Sequence, residues 1–317
     1  MTITILGDTP PVDRMELGLY SLDKAFINRK GEFGLPLGKG MELFGKTGIG
    51  KSTIAYGLSG IVAKHLGGNI ALADLEGFDP DFLSANLENV NFSGTVQYIQ
   101  RDKDEDVLDE LVKIMKTKEY SVGILDSIGA ISPISEQKSD IGEANMGRRA
   151  FAMAQHSRKM LKVLRDNPNQ KCLIMTNHAY PKIGGFGFGL TTPGGVVKNF
   201  LASIRIRISR RWLGDTHKWQ YPDGSYIVEG IVEKNRWGLS NKTFVLFILS
   251  GKGIHYGMTA IHDCENEKLL TIERQVVKIG DKSYGRLKPI IDKAQEGDEE
   301  FFQPFYDLLK GNNKNDK

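Results

Sequence analysis

A glycine-rich loop that ends in lysine and serine carries the clearest chemistry in this chain. It reads Gly45-Lys46-Thr47-Gly48-Ile49-Gly50-Lys51-Ser52 and continues into Thr53. Glycines let a backbone curl so that N–H groups point at phosphate oxygens, while lysine reaches the β- and γ-phosphates and serine binds Mg²⁺. A glycine-rich turn that binds nothing is the alternative. An apolar strand before the loop and a helical pattern after it favour a nucleoside triphosphate site.

Three apolar segments end in polar residues that suit the same chemistry. They lead into Asp74-Leu75-Glu76, into Asp126 and into Asn177-His178. The carboxyl ends of parallel strands meet at the rim where α/β proteins bind ligands. Downstream of a phosphate loop, Asp126 is typical of the carboxylate that holds the Mg²⁺ shell. A lone histidine is usually structural, but the position of His178 favours contact with the γ-phosphate.

The segments between and after these motifs predict an α/β fold. Helical apolar patterns over 104–118 and 145–166 alternate with the strands, as in a mostly parallel, twisted sheet. Strands at 204–209, 226–233 and 244–249 predict an antiparallel extension. Beyond Gly257 we expect a small helical appendage.

Four parts of the chain follow from these patterns. Residues 1–15 form an N-terminal segment whose Thr2 to Leu6 is expected to join subunits, to be the domain's first strand, or to be disordered. Residues 16–257 are expected to form the nucleotide-binding core. Residues 258–310 form a small C-terminal domain, and 311–317 a disordered tail.

Composition excludes several classes of protein. Of 317 residues, 40% are apolar and 26% charged, as in soluble globular proteins. No apolar run approaches the roughly 20 residues that a membrane helix needs, and the N-terminus lacks the pattern of a secretory signal. Cys172 and Cys264 are isolated, without metal-ligand spacing. We therefore expect a cytoplasmic protein (the host cytoplasm if it is viral) with no membrane partner.

Positive charge and glycine-rich sequence lie side by side between residues 146 and 195. The net charge of +3 is small, but basic residues cluster on one predicted helix: Arg148, Arg149, Arg158, Lys159, Lys162 and Arg165. Alone, such a cluster is usually a solvated helix face. The segment Pro181 to Gly195 then places Lys182, Phe186 and Phe188 among glycines, which favours binding of single-stranded nucleic acid over a plain lid.

These residues occur in the same order in RecA-type recombinases, which the chain resembles over roughly residues 15–260. The shared sequences are Ser21-Leu22-Asp23, the phosphate loop, Asp74-Leu75-Glu76 with Asp79-Pro80, Leu125-Asp126-Ser127, Ile141-Gly142-Glu143 with Met146-Gly147, Lys182-Ile183-Gly184, Thr191-Thr192-Pro193-Gly194-Gly195, Phe200 to Arg205, and Gly253 to Gly257. The resemblance implies a RecA-like P-loop ATPase core. His178 stands where most relatives carry glutamine, which looks more like the phage UvsX-type branch.

The resemblance implies a role for each nucleotide-site residue. Residues 45–53 would hold ATP, with Lys51 on its phosphates and with Ser52 and Asp126 on Mg²⁺. Glu76 would be the general base and His178 the γ-phosphate sensor. Asp79 and Phe82 match residues that contact adenine.

The resemblance also implies contacts with DNA and with a neighbouring subunit. The DNA-binding residues would be Met146, Arg148, Arg149, Lys182, Ile183, Gly184, Phe186, Phe188, Gly194 and Gly195. Phe200 matches an aromatic residue at the subunit interface. Lys234 and Arg236 match paired cations that reach the neighbour's ATP, although from the residues alone they could equally face solvent.

There are also departures from the family pattern. The family's long N-terminal helix has no counterpart in the roughly 15 residues before the core, and the match is poor after Gly257. Tyr180 and Asn199 stand where basic residues are expected.

The function expected from all of this is an ATP-dependent recombinase that hydrolyses ATP in the presence of DNA. Its partners would be single-stranded DNA, homologous duplex DNA and further copies of itself, in a helical filament or a ring. One alternative is a RecA paralogue that mediates without exchanging strands. The other is a hexameric helicase or clock-type ATPase with the same core.

Overall fold

The computed structural model describes residues 12–131, 146–181, 190–194, 198–211, 225–296 and 298–315. Up to the middle of the chain, strands and helices alternate. The elements are β1 (Arg14–Met15), α1 (Tyr20–Ala25), β2 (Leu35–Pro36), β3 (Gly40–Gly45), α2 (Lys51–Leu66), β4 (Asn69–Asp74), α3 (Pro80–Asn89), β5 (Val96–Tyr98), α4 (Asp104–Met115), β6 (Tyr120–Asp126), α5 (Met146–Asp166) and β7 (Cys172–His178).

The second half begins with a short hairpin and then contains longer strands. The elements are β8 (Tyr180–Pro181), β9 (Leu190–Thr191), α6 (Lys198–Leu201), β10 (Ala202–Arg211), β11 (Tyr226–Asn235), β12 (Lys242–Leu249), β13 (Gly253–Ile254), α7 (Tyr256–Asn266), β14 (Thr271–Glu273), β15 (Val276–Ile279), β16 (Lys282–Arg286), α8 (Leu287–Glu296) and α9 (Glu299–Asn315).

Nine of the described strands form one central sheet in the order β13-β12-β11-β10-β3-β7-β6-β4-β5. From β10 to β5 each neighbouring pair is parallel. From β10 to β13 each pair is antiparallel. The predicted fold class, a mostly parallel sheet with an antiparallel extension, is confirmed.

Helices cover both faces of the parallel strands. Along β4, Ile70 and Leu72 join a core that includes α2, whereas Ala71 and Ala73 join a core that includes α4 and α5. This alternation follows from the two-residue period of a strand, and burial on both faces explains why the parallel strands are nearly continuous apolar runs. The phosphate loop, which joins β3 to α2, is thereby fixed at the rim of a rigid sheet.

The C-terminal part differs from the predicted helical appendage. It contains a three-stranded sheet, β14-β15-β16, besides α8 and α9. Helix α7 crosses the predicted boundary at Gly257, and Met258 packs with Ile227 and Phe247 of the central sheet in one core. The part after Gly257 is therefore built onto the antiparallel extension.

The predicted disordered tail is wrong for residues 311–315, because α9 continues to Asn315. Phe302, Phe305 and Leu309 bury one face of this helix. Asn312 Nδ2 then donates to Tyr20 Oη at 3.1 Å and to Glu267 Oε2 at 3.3 Å. These contacts hold the last turns against the core.

At the other end, the predicted joining strand, Thr2 to Leu6, lies outside the described residues. The end of that segment, Arg14–Met15, pairs with Leu35–Pro36 of the same chain. Among the described helices, none combines the length and apolarity that a membrane crossing requires.

Candidate active site

The phosphate loop has the backbone that its glycines predict. Gly48 and Gly50 have φ angles of +73° and +92°, in the region that favours glycine. A Cβ at Gly50 would also lie 2.7 Å from Tyr226 Oη, so both the backbone conformation and the available space favour glycine at this position. Helix α2 begins immediately afterwards at Lys51, and its first N–H groups are available to an anion. The loop therefore fits a phosphate group.

The side chain of Lys51 points back toward the curved backbone of the phosphate loop. Lys51 Nζ donates to the carbonyl oxygen of Lys46 at 2.9 Å, and only 7% of the residue is exposed. Burial lowers the pKa of Lys51, although the carboxylates of Glu76 and Asp126 oppose that shift. A partly desolvated ammonium interacts strongly with phosphate oxygens.

Glu76 and His178, which are far apart in sequence, meet beside Lys51. His178 Nε2 lies 2.7 Å from Glu76 Oε1, and His178 Nδ1 lies 3.5 Å from Lys51 Nζ. His178 Nδ1 also lies 3.3 Å from Thr47 Oγ1. Three residues predicted from separate motifs thus form one continuous cluster, with the imidazole in the middle.

The carboxylate of Glu76 is held from two directions. Asp74 Oδ1 accepts hydrogen bonds from the backbone N–H groups of Glu76 at 2.8 Å and Gly77 at 3.0 Å, which fixes the turn after β4. The hydroxyl of Ser127 donates to Glu76 Oε1. Burial raises the pKa of Glu76, but the hydrogen bonds from Ser127 and His178, together with the charges of His178 and Lys51, outweigh it and leave the pKa lowered. Glu76 is therefore a carboxylate at neutral pH, as a general base requires.

Asp126 lies at the end of β6, deep under the loop. Its side chain accepts a hydrogen bond from Tyr56 Oη at 3.3 Å and another from Thr176 Oγ1. Each carboxylate oxygen keeps a second lone pair, so Asp126 can still bind a cation or its water. Ser52, in the first turn of α2, is partly exposed on the loop. Oxygen donors of these two kinds suit Mg²⁺, which binds few protein ligands and completes its shell with phosphate oxygens and water.

The two residues matched to adenine contacts have structural partners. Asp79 caps α3 by accepting a hydrogen bond from the backbone N–H of Asp81 at 3.0 Å. Phe82 is partly buried against the core, and its ring centroid lies 6.3 Å from that of Tyr56. An edge-to-face pair holds the Phe82 ring in place.

Lys234, Arg236 and Phe200 form a second cluster, at the end of β11 and on α6. Lys234 Nζ donates to the carbonyl oxygens of Asn199 and Ala202, the latter at 2.7 Å. Arg236 is exposed, and its guanidinium lies 5.9 Å from the centroid of the Phe200 ring. Phe200 itself is 53% exposed. The two cations and the aromatic residue therefore share one surface.

Most of the predicted DNA-binding residues cannot be placed. Lys182, Ile183, Gly184, Phe186, Phe188 and Gly195 lie outside the described residues, as do the side chains of Met146, Arg148 and Arg149 at the start of α5. Gly194 is described and has a φ of +93°. The hairpin β8–β9 pairs Tyr180 with Thr191 and thereby brings together the two sides of the glycine-rich segment, Pro181 to Gly195, that is predicted to bind DNA.

Sequence reasoning missed several side chains that hold the site. Tyr56 and Thr176 orient Asp126, and Ser127 holds Glu76. The sequence offered a signal only for Ser127, which directly follows Asp126 in a shared motif.

Comparison with known proteins agrees with this fold. The RecA N-terminal domain family matches residues 2–255. Protein RecA of Mesomycoplasma hyopneumoniae strain 7448 is 31% identical over 265 residues, which cover 80% of this chain and 72% of that protein. Protein RecA of Chlamydia abortus is 33% identical over 248 residues (77% and 67%). That of Aquifex aeolicus is 29% identical over 287 residues (89% and 79%). A match of this extent shows that the chain belongs to the RecA family.

Proposed function

We propose that this protein is a DNA-dependent ATPase that assembles on single-stranded DNA and exchanges strands with a homologous duplex. The observation that carries the proposal is the contact series Lys51–His178–Glu76. These contacts connect the lysine that is predicted to bind phosphate to a carboxylate held in its ionised form. The residue between them is His178, two residues before the hairpin β8–β9. Such a connection suits an enzyme in which the state of the nucleotide controls a DNA-binding segment.

The proposed hydrolysis depends on Glu76 as general base. Its carboxylate takes a proton from a water molecule whose oxygen attacks the γ-phosphorus of ATP, and ADP leaves with the bridging oxygen. Lys51 and the loop N–H groups stabilise the charge on the phosphate oxygens. Mg²⁺, held by Ser52 and through Asp126, supplies further neutralisation of that charge when bound. Hydrolysis then removes the group that His178 detects.

We further propose that ATP lies between adjacent subunits. Lys234 and Arg236 would reach the neighbour's phosphates, and Phe200, beside Arg236, would pack in the same interface. Met146 and Ile183 would insert between bases, whereas the basic and glycine-rich residues would follow the DNA backbone. Base pairing, rather than these contacts, would provide sequence specificity.

Within the family, we place the protein nearest to the phage UvsX-type branch. The support is His178, whose two ring nitrogens face Glu76 and Lys51. An imidazole offers two ring nitrogens at fixed positions, whereas glutamine carries a single terminal amide group.

Two measurements test the proposed function. ATPase activity is compared with and without single-stranded DNA, and electron microscopy distinguishes filaments, rings and single particles. We expect stimulation by DNA together with filaments. Activity indifferent to DNA in a monomer would contradict the proposal, whereas DNA-stimulated rings would favour the hexameric helicase.

A variant pair connects the measured activity to this site. Lys51→Ala should abolish ATP binding and hydrolysis. Lys64→Ala, in the last turn of the same helix, is the matched control and should leave both unchanged. Normal turnover by Lys51→Ala would show that the activity arises elsewhere.

A further inference from the structure

Behind the nucleotide site, a buried carboxylate links three strands of the sheet. Glu42 of β3 is fully buried, and its Oε2 lies 2.5 Å from Nε of Arg205, its register partner on β10. Its other oxygen, Oε1, accepts a hydrogen bond from Asn177 Nδ2 of β7 at 2.8 Å. The Arg205 guanidinium also lies 4.6 Å from the centroid of the Phe44 ring. Both oxygens of Glu42 are thus engaged by donors from the two flanking strands.

The same two donors reach beyond the sheet to the end of the hairpin β8–β9. Arg205 Nη2 donates to Thr192 Oγ1 at 3.2 Å. Asn177 Nδ2 donates to the carbonyl oxygen of Pro193 at 3.1 Å. Because Tyr180 pairs with Thr191, the Asn177 bond attaches the returning end of the proposed DNA-binding segment to β7, the strand from which that segment departs. The Arg205 bond attaches the same end to β10.

Asn177 is also the residue directly before His178. Successive side chains of a strand point to opposite faces, so one peptide unit carries the imidazole on the nucleotide side and the amide on the network side. A displacement of the backbone at His178 relative to the phosphates therefore also moves Asn177 relative to Glu42 and Pro193. On the side of β10 away from β3, strand β11 places a second cation, Lys234, as the register partner of Arg205.

We propose that Glu42, Asn177 and Arg205 form a relay of positioning residues that transmits the state of the nucleotide to the DNA-binding segment. The relay rests on the proposed function. It differs from a simple brace of the sheet, which would need only the contacts between the strands themselves. In this network, Arg205 and Asn177 also donate to the end of the hairpin β8–β9, at Thr192 and Pro193. A brace of the sheet would not need these two bonds.

The measurement is the coupling between nucleotide and DNA. Fluorescence anisotropy gives the affinity for a labelled oligo(dT) with adenylyl imidodiphosphate and with ADP, and the ratio of the two affinities is the coupling. A fluorescent ATP analogue reports nucleotide binding separately. Asn177→Ala removes the two bonds of Asn177, to Glu42 and to Pro193, and Thr192→Val removes the bond from Arg205, while both leave the Glu42–Arg205 pair intact. Both should reduce the ratio by about fivefold to tenfold, with nucleotide affinity within about twofold of wild type.

A matched pair of substitutions separates the relay from general effects of charge. Arg205→Lys keeps the charge, but a single ammonium lacks the planar fork that binds Glu42 and Thr192 together, so the coupling should fall. Arg207→Lys lies two residues along the same strand, in the partly exposed pair with Glu233 at 2.6 Å, and should leave the coupling unchanged.

The possible outcomes are distinct. Retained coupling in Asn177→Ala, Thr192→Val and Arg205→Lys overturns the relay while leaving the proposed function in place. Equal loss of coupling in Arg207→Lys, or loss of nucleotide binding in the relay variants, identifies a general structural effect and also overturns the relay. If the wild-type protein binds oligo(dT) equally with both nucleotides, the proposed function fails and the relay with it.

Discussion

His178 Nε2 lies 2.7 Å from Glu76 Oε1, although 102 residues separate the two in the chain. The other ring nitrogen, Nδ1, faces Lys51 at 3.5 Å. The imidazole therefore contacts the proposed base with one nitrogen and the phosphate lysine with the other. In the proposed mechanism, a change at the γ-phosphate would reach Glu76 and the start of the hairpin β8–β9 through one side chain.

Replacing Glu76 by glutamine should separate binding from hydrolysis. Glutamine keeps the shape and accepts the hydrogen bond from Ser127, but it cannot take a proton from water. We expect ATP binding to remain and turnover to fall by about 10²- to 10⁴-fold. Complexes with single-stranded DNA should persist correspondingly longer. Their lifetime is measured by the anisotropy of labelled DNA after an excess of unlabelled DNA is added. Glu88→Gln, on the exposed face of α3, is the control. Normal turnover by the Glu76 variant would assign the base to another residue.

Ser127→Ala should change the pH dependence of hydrolysis. The wild-type pKa of Glu76 is lowered because hydrogen bonds from Ser127 and His178, together with nearby positive charge, outweigh the effect of burial. A lowered pKa keeps the base ionised into mildly acidic solution. Removing the hydroxyl raises that pKa, so activity should begin to fall at a higher pH as the solution is acidified. ATPase profiles from pH 4.5 to 8 measure the shift, with the exposed Ser84→Ala as reference. If the ATPase activities of wild type and Ser127→Ala fall over the same acidic pH range, Ser127 does not lower the pKa of Glu76.

The sequence could predict the sheet of this protein but not the network behind its site. The phosphate loop, the strand ends and the helical periodicities are local patterns, and each one determines a strand, a turn or a helix. The bond from Asn177 to Glu42 spans 135 residues, and that from Arg205 to Glu42 spans 163. Such pairs depend on strand order and register, which no local pattern encodes.

The C-terminal sheet was missed for a different reason. Strands β14, β15 and β16 have three to five residues each, and β14 and β16 are largely exposed. The turn between β14 and β15 uses Arg274 and Gln275, both at positive φ. Hairpin turns with two positive φ angles usually contain asparagine or glycine, so this one gave no recognisable signal.

Lys234 should make DNA-stimulated hydrolysis sensitive to alkaline pH. Burial, with help from Arg236 and Arg205, lowers the pKa of Lys234 to about 8. A lysine is charged below its pKa, so the ammonium is lost as the pH rises through 8. If this charge acts on a neighbour's phosphates, stimulated activity should fall by about tenfold between pH 7 and pH 9. Lys234→Arg keeps its charge and should show no such fall, whereas Lys242→Arg should behave as wild type. Identical profiles for Lys234→Arg and wild type would remove Lys234 from the mechanism.

Asp263 should make stability depend on pH in the opposite sense from a salt-bridged carboxylate. Its side chain is 1% exposed and accepts a hydrogen bond from the backbone N–H of Ser21 at 3.0 Å. Burial raises the pKa of Asp263 to about 7, so the folded state retains a proton that the unfolded chain releases near pH 4. The stabilising contribution is complete below about pH 4 and is lost as the pH rises to 7.

Urea unfolding of wild type and of Asp263→Asn at pH 5 and pH 8 checks this expectation. The difference in unfolding free energy between the two proteins should shift by about 2–3 kcal/mol toward the variant at the higher pH. Other titrating groups, such as the buried His156, are common to both proteins and cancel. Asp292→Asn, at an exposed position, is the matched substitution. A pH-independent difference for Asp263→Asn would show that this carboxyl group is already ionised at pH 5.

Phe200→Ala should weaken assembly without affecting the isolated nucleotide site. Helix α6 is anchored by the buried Leu201, so the exposed Phe200 ring is presented on a fixed support beside Arg236. Aromatic residues beside arginine are common centres of binding energy in protein interfaces. We expect the protein concentration for half-maximal assembly, measured by sedimentation with ATP and without DNA, to rise about tenfold or more. Phe151→Ala, at a ring that is 62% exposed on α5, is the control. Unchanged sedimentation of Phe200→Ala, or an equal loss of assembly in Phe151→Ala, would place the subunit interface on another surface. Lys234 and Arg236 could then not contact a neighbour's ATP in the proposed way.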